Sequence, residues 1–170
     1  MNTIETQRLI LRPFTLEDLD DLAKILADPD VMEFSTTGPI TREATQKFLE
    51  EKVLKEYKEW GTSVLAVIHK EDNQLIGFCG INHQILDGNP VAELGYRFAK
   101  AYWGQGLATE AAKACMEDVH RHLSIPRIVS IIEKDNTRSI ALAERVGLRY
   151  EFDSIYKEIP VRIYSYEYPS

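Results

Sequence analysis

Two short stretches of this chain carry residue types whose spacing can do chemistry. The first is Tyr102-Trp103-Gly104-Gln105-Gly106-Leu107-Ala108-Thr109-Glu110-Ala111, which joins the end of a strand pattern to the start of an apolar-striped helix pattern. Glycines let the backbone approach a ligand closely, and the free N–H groups of a helix's first turn, together with its dipole, favour an anion such as a pyrophosphate. Two other phosphate-binding patterns are excluded. No Gly-Lys pair occurs anywhere, as a nucleoside-triphosphate loop requires, and Thr109 stands where a dinucleotide fingerprint needs its third glycine. The acid expected about 20 residues further on falls in Ser124-Ile125-Pro126. The second stretch begins Asn136-Thr137-Arg138-Ser139 and places Asn136 and Ser139 one helical turn apart at a helix start, so that their polar groups can point together. Read singly, each stretch has a plainer meaning: a tight turn in one case, and a helix cap with an ordinary first-turn serine in the other.

The elements that must position these residues can be read from periodicity. Arg8 to Phe14 alternates as a strand, and Thr15 with Asp18 opens a helix. Thr41 caps a second helix that runs to about Trp60 and stops at Gly61, with Phe48, Leu49, Val53 and Leu54 as its apolar stripe. Ser63 to His69 and Leu75 to His83 flank the turn residues Glu71, Asp72 and Asn73, and Val91 to Phe98 follows the turn Asp87-Gly88-Asn89-Pro90. Gln105 to Leu123 is helical, because Leu107, Ala111, Cys115, Val119 and Leu123 recur every four residues. A buried strand at Arg127 to Glu133, a helix from Asn136 to just before Gly147, and strands near Leu148 to Ser154 and Val161 to Tyr168 complete the chain. The order βα-α-βββ-α-β-α-ββ predicts a mixed α/β fold, a central sheet of about seven strands flanked by about four helices.

Composition narrows the class. The 170 residues carry 20 Lys plus Arg against 27 Asp plus Glu, a net charge of −7 that argues against a sequence-blind nucleic-acid binder. Residues 1–170 read as one domain, with no repeat or linker. The longest apolar run, Val64 to Ile68, is far too short to span a membrane, and the N-terminus lacks a secretory pattern, so the cytoplasm is the expected location. Cys79 and Cys115 fall on apolar stripes and read as core residues. His120 and His122 face different ways on a helix, and His69 and His83 lack ligand-spaced neighbours, so no metal is expected.

Taken in order, these motifs resemble the GNAT superfamily of N-acetyltransferases, and within it the RimJ/RimL branch that acetylates protein N-termini and other small amines. The residues that carry the resemblance are Thr6-Gln7-Arg8-Leu9-Ile10-Leu11-Arg12-Pro13 with Asp18, Leu75-Ile76-Gly77-Phe78-Cys79-Gly80, Glu93-Leu94-Gly95-Tyr96, the glycine turn, and Asn136-x-x-Ser139 followed by Glu144-x-x-Gly147. The resemblance implies a GNAT fold and acetyl-CoA as acetyl donor, with its pyrophosphate on the backbone of Gly104, Gln105, Gly106, Leu107, Ala108 and Thr109 beside Trp103. It also implies that a backbone N–H near Phe98 holds the acetyl carbonyl, that Asn136 contacts the pantetheine and that Ser139 lies near the sulfur. Lys100, Lys113, Arg138 and Arg145 are the cations available for phosphates.

The implied reaction is attack of a neutral amine on a thioester. An α-amine, with pKa about 7.7 to 8.0, asks for a weaker base than a lysine at about 10.4, which favours an N-terminal acceptor such as that of a ribosomal protein. Glu93 is the first candidate base, acting through a water, with Glu158 in reserve. Many GNAT enzymes carry a tyrosine seven residues after the asparagine as the acid for the leaving thiolate. Here that position is Ala143, so Ser139, Tyr102 or a water must serve. Trp103 also departs from the Gln or Arg usual in the superfamily, although an aromatic suits the RimJ/RimL branch. Some of Tyr156, Tyr164, Tyr166 and Tyr168 are expected to line the acceptor pocket. The alternative is a non-catalytic acyl-CoA-binding sensor of the same fold, hinted at only by Ala143. Both a monomer and a homodimer fit the sequence.

Overall fold

The protein, described over residues 3–170 in a computed structural model, is built around one eight-stranded sheet with the order β1-β2-β3-β4-β5-β6-β8-β7. The strands are β1 (Ile4–Glu5), β2 (Leu9–Arg12), β3 (Val64–His69), β4 (Gln74–Leu86), β5 (Asn89–Phe98), β6 (Arg127–Ile132), β7 (Arg149–Tyr156) and β8 (Ile159–Glu167). The α-helices are α1 (Leu19–Leu26), α2 (Arg42–Phe48), α3 (Lys55–Trp60), α4 (Leu107–His122) and α5 (Thr137–Arg145). A π-helical segment, Leu49–Leu54, joins α2 to α3, so the predicted helix from Thr41 to Trp60 exists as one rod with a π insertion. Gly61 closes that rod in the left-handed conformation, at φ 75°.

The α/β class and the order of elements are as the sequence predicts, with one more strand. That eighth strand is the two-residue β1, held only by pairing Ile4↔Leu11 and Glu5↔Ile10, and two residues carry no periodicity. Pro13 cuts the first predicted strand short by removing a ladder donor, leaving Leu9–Arg12. Asp18 then accepts the Thr15 N–H at 2.9 Å and pairs with Arg12 at 2.8 Å, holding the entry to α1. The β4–β5 hairpin is longer than predicted because Asp87 and Gly88, at φ 50° and 78°, make a tight left-handed turn that carries pairing out to Leu86↔Asn89.

The alternation of β3 divides the core. Leu65 and Val67 pack with Leu107, Ala111, Cys115 and Val119 of α4 on one face, while Val64 and Ala66 pack with Leu22, Leu49 and Val53 on the other. Complete burial of the α4 stripe is on the order of 1.5–3 kcal/mol for each large side chain, which rigidly fixes the helix whose N-terminus carries the glycine turn. No helix among the described residues is long and apolar enough to cross a membrane.

Candidate active site

The site begins where the sheet comes apart. β5 and β6 are parallel and share one ladder position, Glu93↔Val129, beyond which the strands diverge. Successive strand residues aim their backbone polar groups at opposite edges. The Ala99 N–H bonds the Ile76 carbonyl of β4 at 2.8 Å, so the amides of Phe98 and Tyr96 face the gap. The indole Nε1–H of Trp103 donates to the Phe98 carbonyl at 2.8 Å, tying the turn after β5 to the mouth of that gap.

On the α4 side lies a cavity of about 450 Å³, lined by Gly104, Gly106, Leu107, Ala108 and Thr109 together with Trp103, Phe98 and Arg138. Gly104 and Gly106 both take left-handed backbone, φ 77° and 76°, which L side chains adopt only with strain. Gly106 is the N-cap of α4. The amide donors of the first turn and the positive end of a 16-residue helix therefore face this cavity, and these residues fit a pyrophosphate. The turn is braced from the chain's other end. Glu110 receives Arg8 Nε at 2.8 Å, the Arg8 N–H at 2.9 Å and the Thr6 hydroxyl at 2.6 Å, while Arg8 Nη1 donates to the Gln105 carbonyl at 2.8 Å. Burial opposes ionisation of Glu110, but these donors hold its carboxyl below the usual range.

Of the candidate cations, Arg138 stacks 3.6 Å above the Trp103 ring and Arg145 reaches Thr109 Oγ1 at 3.4 Å, both at the cavity wall. Lys100 instead pairs with Asp30 at 2.6 Å, and Lys113 lies on the exposed face of α4. Gln105 is exposed and its side chain turns back to the Ala101 carbonyl at 3.4 Å, which leaves only its backbone available to a ligand.

On the opposite side of the split is a second cavity of about 440 Å³, lined by Glu93, Gly95, Arg97, Lys52 and Tyr156 among apolar walls. The two cavities share Phe34, Tyr96, Arg97, Asn136 and Ser139. They therefore meet through the gap between β5 and β6.

Glu93 sits at the end of a polar chain. Tyr156 donates to Gln84 Oε1 at 2.7 Å, and Gln84 Nε2 bonds Asn82 Oδ1 at 2.8 Å and reaches Glu93 Oε1 at 3.5 Å. Burial pushes the Glu93 carboxyl up from 4.5 to about 6, with Asn82, Gln84, Lys52 and Arg97 pulling the other way. A carboxylate poised there is ionised at neutral pH yet basic enough to take a proton.

Asn136 caps α5 by accepting the Ser139 N–H on Oδ1 at 3.3 Å, and its amide nitrogen is left at the junction of the cavities. The Ser139 hydroxyl and the Tyr96 hydroxyl are 2.6 Å apart, and Tyr96 OH also lies 3.2 Å from the Ser139 carbonyl. Tyr96 is thus a site residue to which the sequence motifs, though they contain it, assign no role. Its sequence signal is its place at the end of the Glu93-Leu94-Gly95-Tyr96 strand motif. Burial raises its phenol to about 12, so it stays protonated and able to donate. Ala143, on α5, is fully buried in the core and its methyl lines neither cavity.

The remaining candidates fall elsewhere. Glu158 is exposed in the β7–β8 turn at φ 69° and lines neither cavity. The Tyr102 hydroxyl is turned to Asp72 at 2.6 Å. Of the four late tyrosines only Tyr156 lines the second cavity, and Tyr164 is core. Cys79 and Cys115 are buried with their sulfurs 3.7 Å apart, and the environment raises the Cys79 thiol well above its ordinary value, which suits core packing and not nucleophilic attack. His120 stacks on Tyr168, His122 pairs with Asp118 at 3.0 Å, and His83 stacks on Trp60.

A mixed sheet split beside a glycine-capped helix, with one cavity on each side of the split, defines a class of acyl-group transferases. The family model of the acetyltransferase (GNAT) domain matches residues 8–149, and the chain belongs to that family. An uncharacterized N-acetyltransferase of Bacillus licheniformis, p20, is 32% identical over 151 residues, covering 89% of this chain and 84% of that protein. An acetyltransferase structure from Agrobacterium tumefaciens superposes with a TM-score of 0.84 at 27% identity over 99% of this chain and 95% of that one. RimL, a ribosomal L7/L12 alpha-N-protein acetyltransferase solved with coenzyme A, shares the fold with a TM-score of 0.82 at 22% identity, covering 98% of each chain. The protein is accordingly a GNAT acetyltransferase.

Proposed function

We propose that this acetyltransferase moves the acetyl group of acetyl-CoA directly to a primary amine, an N-terminal α-amine of a protein or peptide or a small amine, in the manner of the RimJ/RimL branch. The observation that carries this reading is the meeting of the two cavities at Tyr96, Arg97, Asn136 and Ser139, which gives donor and acceptor separate entrances to one point. The α4 turn from Gly104 to Thr109, with Arg138, Arg145 and Trp103, would hold the phosphates, and Asn136 would hold the pantetheine arm. When bound, acetyl-CoA supplies an activated carbonyl. The free amides of Phe98 and Tyr96 are donors for its oxygen, and such donors in a dry site stabilise the charge that develops during attack.

The protein's residues then handle protons. Glu93, through a water, accepts the proton that leaves the attacking nitrogen as the N–C bond forms. As the C–S bond breaks, Ser139 donates to the departing sulfur and recovers a proton from the Tyr96 hydroxyl 2.6 Å away, and solvent restores Tyr96. The products are an N-acetylated amine and CoA with a free thiol. This assigns to the Ser139–Tyr96 pair the acid role that a tyrosine at position 143 fills elsewhere.

The test is to incubate the protein with acetyl-CoA and a panel of N-terminal alanyl and seryl peptides and small amines, following thiol release and product mass. Amine-dependent release with an acetylated product is expected. Tight acetyl-CoA binding without thiol release for any amine would replace this reading with the sensor alternative.

A further inference from the structure

Arg97 is a half-buried cation that makes no ion pair among the described residues. It lies on β5 on the same face as Glu93 and Gly95, because alternate strand residues share a face. Its guanidinium donates to the Val31 carbonyl at 3.3 Å. Burial pushes its pKa down, with the carboxylates of Glu93 and Glu133 acting from a distance to hold the charge. Glu93 and Glu133 face the same cavity without closing on it. A half-buried guanidinium facing a cavity without a counterion is a ready partner for an anion, and its fork matches a carboxylate through two parallel hydrogen bonds.

The other cations at this cavity are already engaged. Lys52 gives its protons to Glu56 at 3.0 Å and to the His83 carbonyl at 3.1 Å, and Lys157 stands over the Tyr156 ring, 5.2 Å away, at an exposed turn. The phosphate turn has its own arginines, Arg138 and Arg145. Between Glu93 and Arg97, which four residues of strand set roughly 13 Å apart at Cα, the floor is Gly95. A Cβ there would fall 2.6 Å from Asn82 Nδ2, so this stretch of floor carries no side chain of its own. Met32, Phe34, Ile40 and Phe48 make apolar walls above it.

Resting on the acetyltransferase reading, we propose that the acceptor is a small amine bearing a carboxylate, of the α-amino-acid type with an apolar side chain. Arg97 holds the carboxylate, the apolar walls take the side chain, and the amine is presented over Gly95 toward Glu93 and the gap. Acetyl transfer joins the amine nitrogen to the acetyl carbon, breaks the thioester C–S bond, passes the amine proton to Glu93 and returns a proton to the CoA sulfur. The product is an N-acetyl amino acid.

The experiment compares apolar L-amino acids with their carboxamides, leucine with leucinamide and methionine with methioninamide, in the wild type, Arg97→Gln and Arg97→Lys. Peptides with an acidic second residue form a third arm. Wild type should prefer the acid over its amide by at least about tenfold in kcat/KM. In Arg97→Gln that ratio should collapse toward unity through a loss of roughly 10²-fold on the acids, with partial recovery in Arg97→Lys and a KM for acetyl-CoA within about twofold. Equal use of acid and amide by wild type overturns the inference without any variant, which covers a variant that does not fold. So does an unchanged ratio with a raised KM for acetyl-CoA, which would make Arg97 a cofactor-phosphate contact, and so does acetylation confined to peptides. Acetyl-CoA binding with neither acid nor amide acetylated overturns it as well. Failure of the parent reading looks different: no amine of any kind, peptide, amide or acid, then releases thiol from acetyl-CoA.

Discussion

Replacing Glu93 by glutamine separates catalysis from stability in opposite directions. With the carboxyl at about 6, wild type is about 99% in the basic form at pH 8 and about one tenth at pH 5. At saturating amine, kcat should therefore be flat above pH 7 and fall about tenfold per unit well below 6. Loss of a positioned base is expected to lower kcat at pH 8 by roughly 10²-fold and to remove the limb centred near pH 6. The stability effect has the other sign. An acid whose folded pKa lies above its unfolded value contributes stability below about 4.5 and loses it as pH rises through about 6. At pH 8 wild type carries a penalty on the order of 2 kcal/mol from this ionised carboxylate, and Glu93→Gln removes it. The variant's Tm at pH 8 should equal or exceed that of wild type, by up to about 4 to 8 °C. The assay is thiol release from pH 5 to 9 beside melting curves in the same buffers. A variant that keeps the limb near pH 6 and a rate within twofold of wild type would remove Glu93 from the mechanism.

Other substitutions probe the remaining parts of the site. Ser139→Ala and Tyr96→Phe should each lower kcat by roughly 10–10²-fold, with the double variant no worse than the more damaging single one, because both act in one proton path; additive losses in steady-state kinetics would argue against the shared path. Gly106→Val should strain the left-handed cap of α4 by about 1–2 kcal/mol and weaken acetyl-CoA binding, read by calorimetry, and unaltered affinity would place the phosphates elsewhere. Asp18→Asn should destabilise by about 1–3 kcal/mol. Although burial opposes it, Arg12 and the Thr15 N–H hold the Asp18 carboxyl below 3.8, so this contribution is present above that value and fades as pH falls through the lower folded pKa. Denaturant midpoints at pH 7 and pH 3 check it, since the gap between wild type and variant should narrow at pH 3.

What local pattern can encode was legible in the sequence. The stripe of Leu107, Ala111, Cys115 and Val119 set α4 on the sheet, Gly61 ended the second helical rod, and the paired glycines marked the α4 turn, because each depends on neighbours within a turn or two. Residues joined only by tertiary contact were not legible. Tyr96 meets Ser139 across 43 positions of chain, and Arg8 and Glu110 are separated by 102, so no window holds both members. The parting of β5 and β6 after Glu93↔Val129 is likewise a property of the sheet and not of either strand's sequence. The setting of Arg97 also comes from distant elements, since Met32, Phe34 and Phe48 of its apolar walls lie far from it in the chain. Asn136 caps α5, its plainer reading, and also stands at the junction of the cavities.

The central claim is that the α4 turn and the split sheet bind acetyl-CoA, and the thermal midpoint with saturating acetyl-CoA, against NAD as control, tests it most directly. Ligand at 100 times its Kd adds about 2.7 kcal/mol, which for a chain of this size corresponds to a rise of about 5 to 11 °C. The account predicts that rise with acetyl-CoA and none with NAD; an unchanged midpoint with acetyl-CoA, or an equal rise with both, would contradict it.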